Sequence, residues 1–150
     1  MDTEPPTANF ISGYLIAITV LILLSAFFSA TETAFTSANK ARLKILAEDG
    51  KKSAKRALDL TENYDRLLFT ILIGNNIVNI AMTTIAGLLF AKLIISANLA
   101  ATVTTAATTV AVLIFGEITP KTIAKEVPEK FACFAGSIIS FFVVILFPLA

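Results

Sequence analysis

The charged residues of this chain fall in bunches, and the uncharged stretches between them set the architecture. No Asp, Glu, Lys or Arg occurs from Pro5 to Thr31, from Leu67 to Ala91, or from Leu93 to Gly116. Each stretch is long enough for a helix to cross about 30 Å of hydrocarbon. Three spanning helices are therefore expected, over residues 10–38, 66–95 and 99–118. A fourth apolar run, Phe131 to Ala150, is long enough by hydropathy alone. The first run is overlong for a cleavable signal peptide and has Asp2 and Glu4 where such a peptide carries cations, so it is expected to stay in the protein.

Between the first two spans the pattern changes. Leu43, Leu46 and Ala47, then Ala54, Ala57 and Leu58, recur at helical spacing with charges between them, and Gly50 divides the two sets. Two short amphipathic helices over 40–64 are expected, lying on the membrane with basic faces toward anionic headgroups; a partner-binding surface is the alternative. A second juxtamembrane segment covers 126–150. No internal repeat or second domain is visible, so residues 1–150 read as one transmembrane domain.

Composition narrows the chemistry. Hydrophobic residues make up 56% and charged ones 15%, a poor balance for a water-facing surface. The net charge of +1 lacks the basic excess that nucleic-acid binding needs. With no histidine and one cysteine, Cys133, there is no His-based triad, zinc site or internal disulfide to build, and the chain is not expected to be an enzyme. An intramembrane hydrolase using Ser25 or Ser29 would need Lys121 as its base from beyond the third span. Charge also orients the chain. Eight Lys and Arg lie between Lys40 and Arg66, none precedes the first span, and Lys121, Lys125 and Lys130 follow the third. The N-terminus is then outside and both basic segments are cytoplasmic.

Polar residues within the spans carry the functional content, because an unsatisfied polar group in hydrocarbon costs several kcal/mol. Ser25, Ser29 and Glu32 stand at i, i+4 and i+7 on one stripe of the first span. Asn76, Asn79 and Thr83 form a stripe on the second, with Asn75 beside them, and Thr102, Thr105 and Thr109 form one on the third. If the third helix continues through Pro120, the missing N–H leaves the Gly116 carbonyl free beside the Glu117 carboxylate. At 1.5 Å per residue, Ser25 lies about 22 Å below Phe10, Asn76 about 14 Å above Leu67 and Glu117 about 27 Å below Leu99, so all three fall in the cytoplasmic half of the bilayer. Oxygen-only ligands suit hard cations such as Mg²⁺ and Na⁺. Duller readings stand beside this one: the hydroxyls as packing groups, the amides as interhelical glue, Glu117 as an interfacial partner of Lys121 at i+4, and Cys133 as an apolar filler.

The stretches Leu24 to Phe35 (LSAFFSATETAF), Leu72 to Asn79 (LIGNNIVN) and Phe115 to Ala124 (FGEITPKTIA) resemble the three helix motifs of the CorC/CNNM transmembrane domain. The resemblance implies a Mg²⁺ transporter or exporter of the cytoplasmic membrane, driven by Na⁺ exchange and working as a homodimer. It implies an ion stripped of its water and held by Ser25, Asn76 and Glu117, with Ser29, Asn79 and Gly116 joining them. It also implies an all-α membrane protein with three transmembrane helices, juxtamembrane amphipathic helices and a membrane-embedded, belt-like C-terminal helix. The C-terminus would then be cytoplasmic, with Gly136 and Pro148 as points of distortion. Family members usually continue into a cytosolic CBS pair that binds ATP; these 150 residues contain none, so ATP would act only through domains absent here. The rival class is a membrane anchor or dimerising scaffold that transports nothing.

Overall fold

The computed structural model describes residues 8–93 and 96–146, and every element in them is helical. Helix α1 spans Ala8–Ser37, α2 Lys40–Glu48, α3 Lys52–Glu62, α4 Tyr64–Leu93 and α5 Ala97–Ala111. A π-helical segment, Val112–Ile118, then leads without a break into α6, Thr119–Glu126, and α7 covers Pro128–Leu146. Four stretches of the described residues are long and apolar enough to cross a bilayer: Asn9–Ser37, Tyr64–Leu93, Asn98–Glu126 and Pro128–Leu146. The first three coincide with the charge gaps. The third runs past residue 118, where the sequence placed its end, because the helix does continue through Pro120.

The segment between the first two spans folds as its periodicity demands. Asn39 caps α2, its side-chain oxygen accepting from the amides of Ala41 and Arg42. Gly50 makes the turn into α3 at φ +94°, a backbone region that disfavours side chains. Leu43, Ala54 and Ala57 are fully buried, while Lys40, Lys44, Lys51, Lys52 and Lys55 are exposed. Arg42 reaches Glu129 at the start of α7, at 3.8 Å.

Helix α7 lies across the bundle. Its Phe131 ring is 6.5 Å from Phe27 of α1, and its Phe142 ring is 5.2 Å from Phe28. Phe131 and Phe142 are separated by about 16 Å of helix, whereas the two α1 residues are neighbours in sequence. A helix running alongside α1 would need partners several turns apart, so α7 crosses α1 steeply. Gly136, expected to bend this helix, sits inside an unbroken α7 and faces α3, where a Cβ would meet the Ala57 backbone at 3.6 Å. Pro148 lies outside the described residues. The core gathers at this crossing, around Phe28, Leu67, Ile71, Ala132 and Ile139. Gly74 of α4 is jammed under Phe28, whose ring would stand 2.6 Å from an added Cβ.

Candidate cation site

The polar stripes of α1 and α4 meet. Ser25 is fully buried, and its hydroxyl lies 3.1 Å from Asn75 Oδ1 and 3.0 Å from Asn79 Oδ1. A hydroxyl has one hydrogen, so it can donate to one of these amide oxygens at a time. Three oxygens therefore converge with a single proton among them. Directly against this group stands Gly116, where a Cβ would sit 3.0 Å from Ser25 Oγ. Only glycine brings the third span's backbone this close to the hydroxyl without pushing it aside.

One turn along α1, Ser29 is 1% exposed and its Oγ has no hydrogen-bond partner among the described residues. Thr31, Thr36 and Thr70 each donate to the carbonyl four residues back; Ser29 does not. A buried hydroxyl without a partner costs about 1–3 kcal/mol, a cost commonly retained where a ligand completes the shell.

The third span supplies backbone oxygens through its π register. The Thr119 amide donates to Ile114 O, passing over Phe115 O, its α-helical acceptor. Pro120 has no N–H to give to Phe115 in the π register or to Gly116 in the α register. The Phe115 carbonyl thus loses its amide donor in both registers, and the Gly116 carbonyl, where the sequence placed the free oxygen, loses its α-helical donor. Glu117 beside them is half-buried and forms no ion pair among the described residues. Lys121, its expected partner at i+4, instead lies 3.9 Å from Glu32 Oε2 on α1.

Of the six residues expected to hold an ion, the structure brings Ser25, Asn79 and Gly116 into one cluster, with Ser29 one turn away on the same stripe and Glu117 next to Gly116. Asn76 is not brought in. The buried stripe of α4 runs through Gly74, Val78 and Met82, and at about 100° per residue position 76 points roughly 160° away from Val78. Asn76 is accordingly exposed, and Asn75, which the sequence reading left outside the set, takes its place beside Ser25. The signal was available in the i, i+4 spacing of Asn75 and Asn79, which matches the buried stripe better than i, i+3. Of the threonine stripe on α5, Thr102 and Thr105 donate to Asn98 O and Ala101 O, the local pattern of packing hydroxyls. Among the described residues no three Cys, Asp or Glu side chains gather, so a cation here would rest chiefly on neutral oxygens.

Long apolar helices that meet around the buried Ser25 and are joined by short basic helices define a multi-pass membrane protein. The comparisons make this specific. Residues 16–150 match the family description "Cyclin M transmembrane N-terminal domain", and the chain belongs to this CNNM family. It is 40% identical over 149 residues to a UPF0053 protein of Haemophilus influenzae, covering 99% of this chain and 34% of that protein. It is 37% identical over 126 residues to the UPF0053 inner membrane protein YfjD of Escherichia coli, covering 84% and 29%. A shorter match, 38% over 66 residues, covers 44% of this chain and 15% of a polyamine export protein of Escherichia coli. The chain thus spans about a third of the length of the first two relatives.

Proposed function

We propose that this domain carries Mg²⁺ across the cytoplasmic membrane as an exporter, with Na⁺ as the coupling ion, and that Ser25, Ser29, Asn75, Asn79, Glu117 and the carbonyls near Gly116 hold the largely dehydrated cation. The observation that carries this reading is a surplus of oxygen at the contact of α1 and α4: the buried Ser25 hydroxyl has one hydrogen for the half-buried Asn75 and Asn79 amide oxygens, and the buried Ser29 Oγ has no partner among the described residues. A small hard cation satisfies all of them at once, and about six oxygens near 2.1 Å meet the octahedral demand of Mg²⁺. The carboxylate of Glu117, free of Lys121, supplies charge that neutral oxygens lack.

The finer topology is three spans with α7 as a belt at the cytoplasmic side. Arg56 of α3 donates to Ser137 in the middle of α7 at 2.8 Å. Were α7 a span, that bond would draw the charged α3 to the bilayer centre, at about 3 kcal/mol or more per charge. With α7 lying flat, the basic segments stay inside, the N-terminus is outside and the C-terminus is cytoplasmic. The domain works as a homodimer. Exposed Asn76 and Thr83 on α4 support this, since an amide and a hydroxyl facing lipid gain from a second copy.

Flux in proteoliposomes tests the function. Mg²⁺ efflux driven by an opposing Na⁺ gradient is expected from the wild-type chain and not from Asn79→Ala. Because one relative is named a polyamine export protein, spermidine belongs in the same assay; spermidine flux without Mg²⁺ flux would replace the ion assignment. No flux of either, with an intact fold, would favour the scaffold.

A further inference from the structure

The helix faces that form the site meet a second time beyond it. At the first level Gly116 abuts Ser25. At the second, Lys121 Nζ lies 3.9 Å from Glu32 Oε2. Ser29, buried and unpartnered, falls between the two levels on the same stripe of α1. Along α1 the levels are about 10 Å apart, and along the third span about 8 Å plus the reach of a lysine, so the two faces stay in register. The ion pair therefore closes the end of the cluster that leads to the basic segments.

Two features set this pair apart from an ordinary surface contact. Lys121 has a carboxylate at the favourable helical spacing, Glu117, yet it reaches across to α1 and leaves Glu117 unpaired. Its side chain and that of Glu32 are 42% and 47% exposed, so the pair is open to water and to arriving ions. A pair so exposed is weak, and weak pairs exchange readily.

We propose that Lys121 is a tethered counter-cation: it occupies the Glu32 carboxylate while the site is empty, and a divalent cation arriving at this mouth displaces it, resting on Glu32 before passing to the Ser29 and Ser25 oxygens. A doubly charged ion competes well for a carboxylate against a single ammonium. The lysine also offsets the pull of Glu32 on stray cations, so occupancy requires a real excess of the substrate ion. This proposal rests on the cation-site reading above.

The test is the half-saturating Mg²⁺ concentration for thermal stabilisation of the purified chain, read by a thiol-reactive dye that reports exposure of Cys133, the chain's single, buried cysteine. Lys121→Gln should lower that concentration about two- to fivefold, the scale set by an exposed pair. Glu32→Gln should raise it. In the Glu32→Gln background Lys121→Gln should add nothing, because the lysine acts through that carboxylate. Lys121→Arg, which keeps the charge, should behave as wild type, and Lys125→Gln, which removes a charge with no ion pair among the described residues, should shift the midpoint less than Lys121→Gln. A wild type that responds to Mg²⁺ while Lys121→Gln is unchanged, or a double variant whose shifts simply add, overturns the proposal. A wild type that does not respond overturns the cation-site reading and this proposal with it.

Discussion

Replacing Ser29 by alanine separates an ion ligand from a packing hydroxyl, because the two readings give opposite signs. The Ser29 Oγ is buried without a partner, so the ion-free protein carries the cost of desolvating it, about 1–3 kcal/mol. Alanine removes that cost and leaves only a small void, giving a net gain of about 1–2 kcal/mol. For a chain of this size that corresponds to a rise of about 2–8 °C in melting temperature. The melt is taken in detergent with chelator present, using Cys133 exposure as the signal. Added Mg²⁺ should then stabilise the wild type and barely move Ser29→Ala, since one of the ion's oxygens is gone. A packing serine would show the reverse: alanine would lower the ion-free melt, and the Mg²⁺ response would be kept. That pattern would make Ser29 a packing residue and not an ion ligand.

Gly116→Ala should leave stability nearly unchanged, since alanine's better helix propensity offsets the tight contact, yet it should weaken Mg²⁺ binding at least tenfold. The added Cβ stands 3.0 Å from Ser25 Oγ and must displace it by a few tenths of an ångström, and ion sites tolerate little more than about 0.5 Å; a midpoint within twofold of wild type counts against the site. Single cysteines placed at Asn76 or Thr83 in a Cys133→Ala background should crosslink between copies in native membranes, and monomers at all protein concentrations would contradict the dimer. A tag fused after Ala150 should be reachable only after the cells are opened; labelling of intact cells would make α7 a span and not a belt.

How much of this was visible in the sequence differs element by element. The charge gaps marked the spans because hydrocarbon tolerates no charge without a partner, and Gly50 marked the α2–α3 turn because that turn needs a positive φ. The stripe on α1 was legible because Ser25 and Ser29 are unusual among apolar neighbours. On α4 three asparagines crowd into five positions, and periodicity alone could not fix which side of the helix faces α1; the packing of Gly74 under Phe28 decides it, and selects Asn75. The π register was hidden because proline predicts a lost hydrogen bond but not the slip of its neighbours, here of Thr119 onto Ile114. The direction of α7 was hidden too. Its apolar run satisfies the length of a span, and the angle follows from contacts of Phe131 and Phe142 that connect distant parts of the chain.

A cation held at this oxygen cluster draws its charge balance from Glu117, and Glu117→Gln keeps the shape of that side chain while removing its charge. The measurement is the Mg²⁺-induced rise in melting temperature of wild type and variant, compared at the same ion concentrations. At about a hundredfold excess over the dissociation constant, binding should stabilise the wild type by about 2.7 kcal/mol, roughly 5–11 °C for this chain length. Glu117→Gln should melt like wild type in chelator and show little or no rise with Mg²⁺. Equal rises in both proteins would mean that Glu117 takes no part in holding the ion.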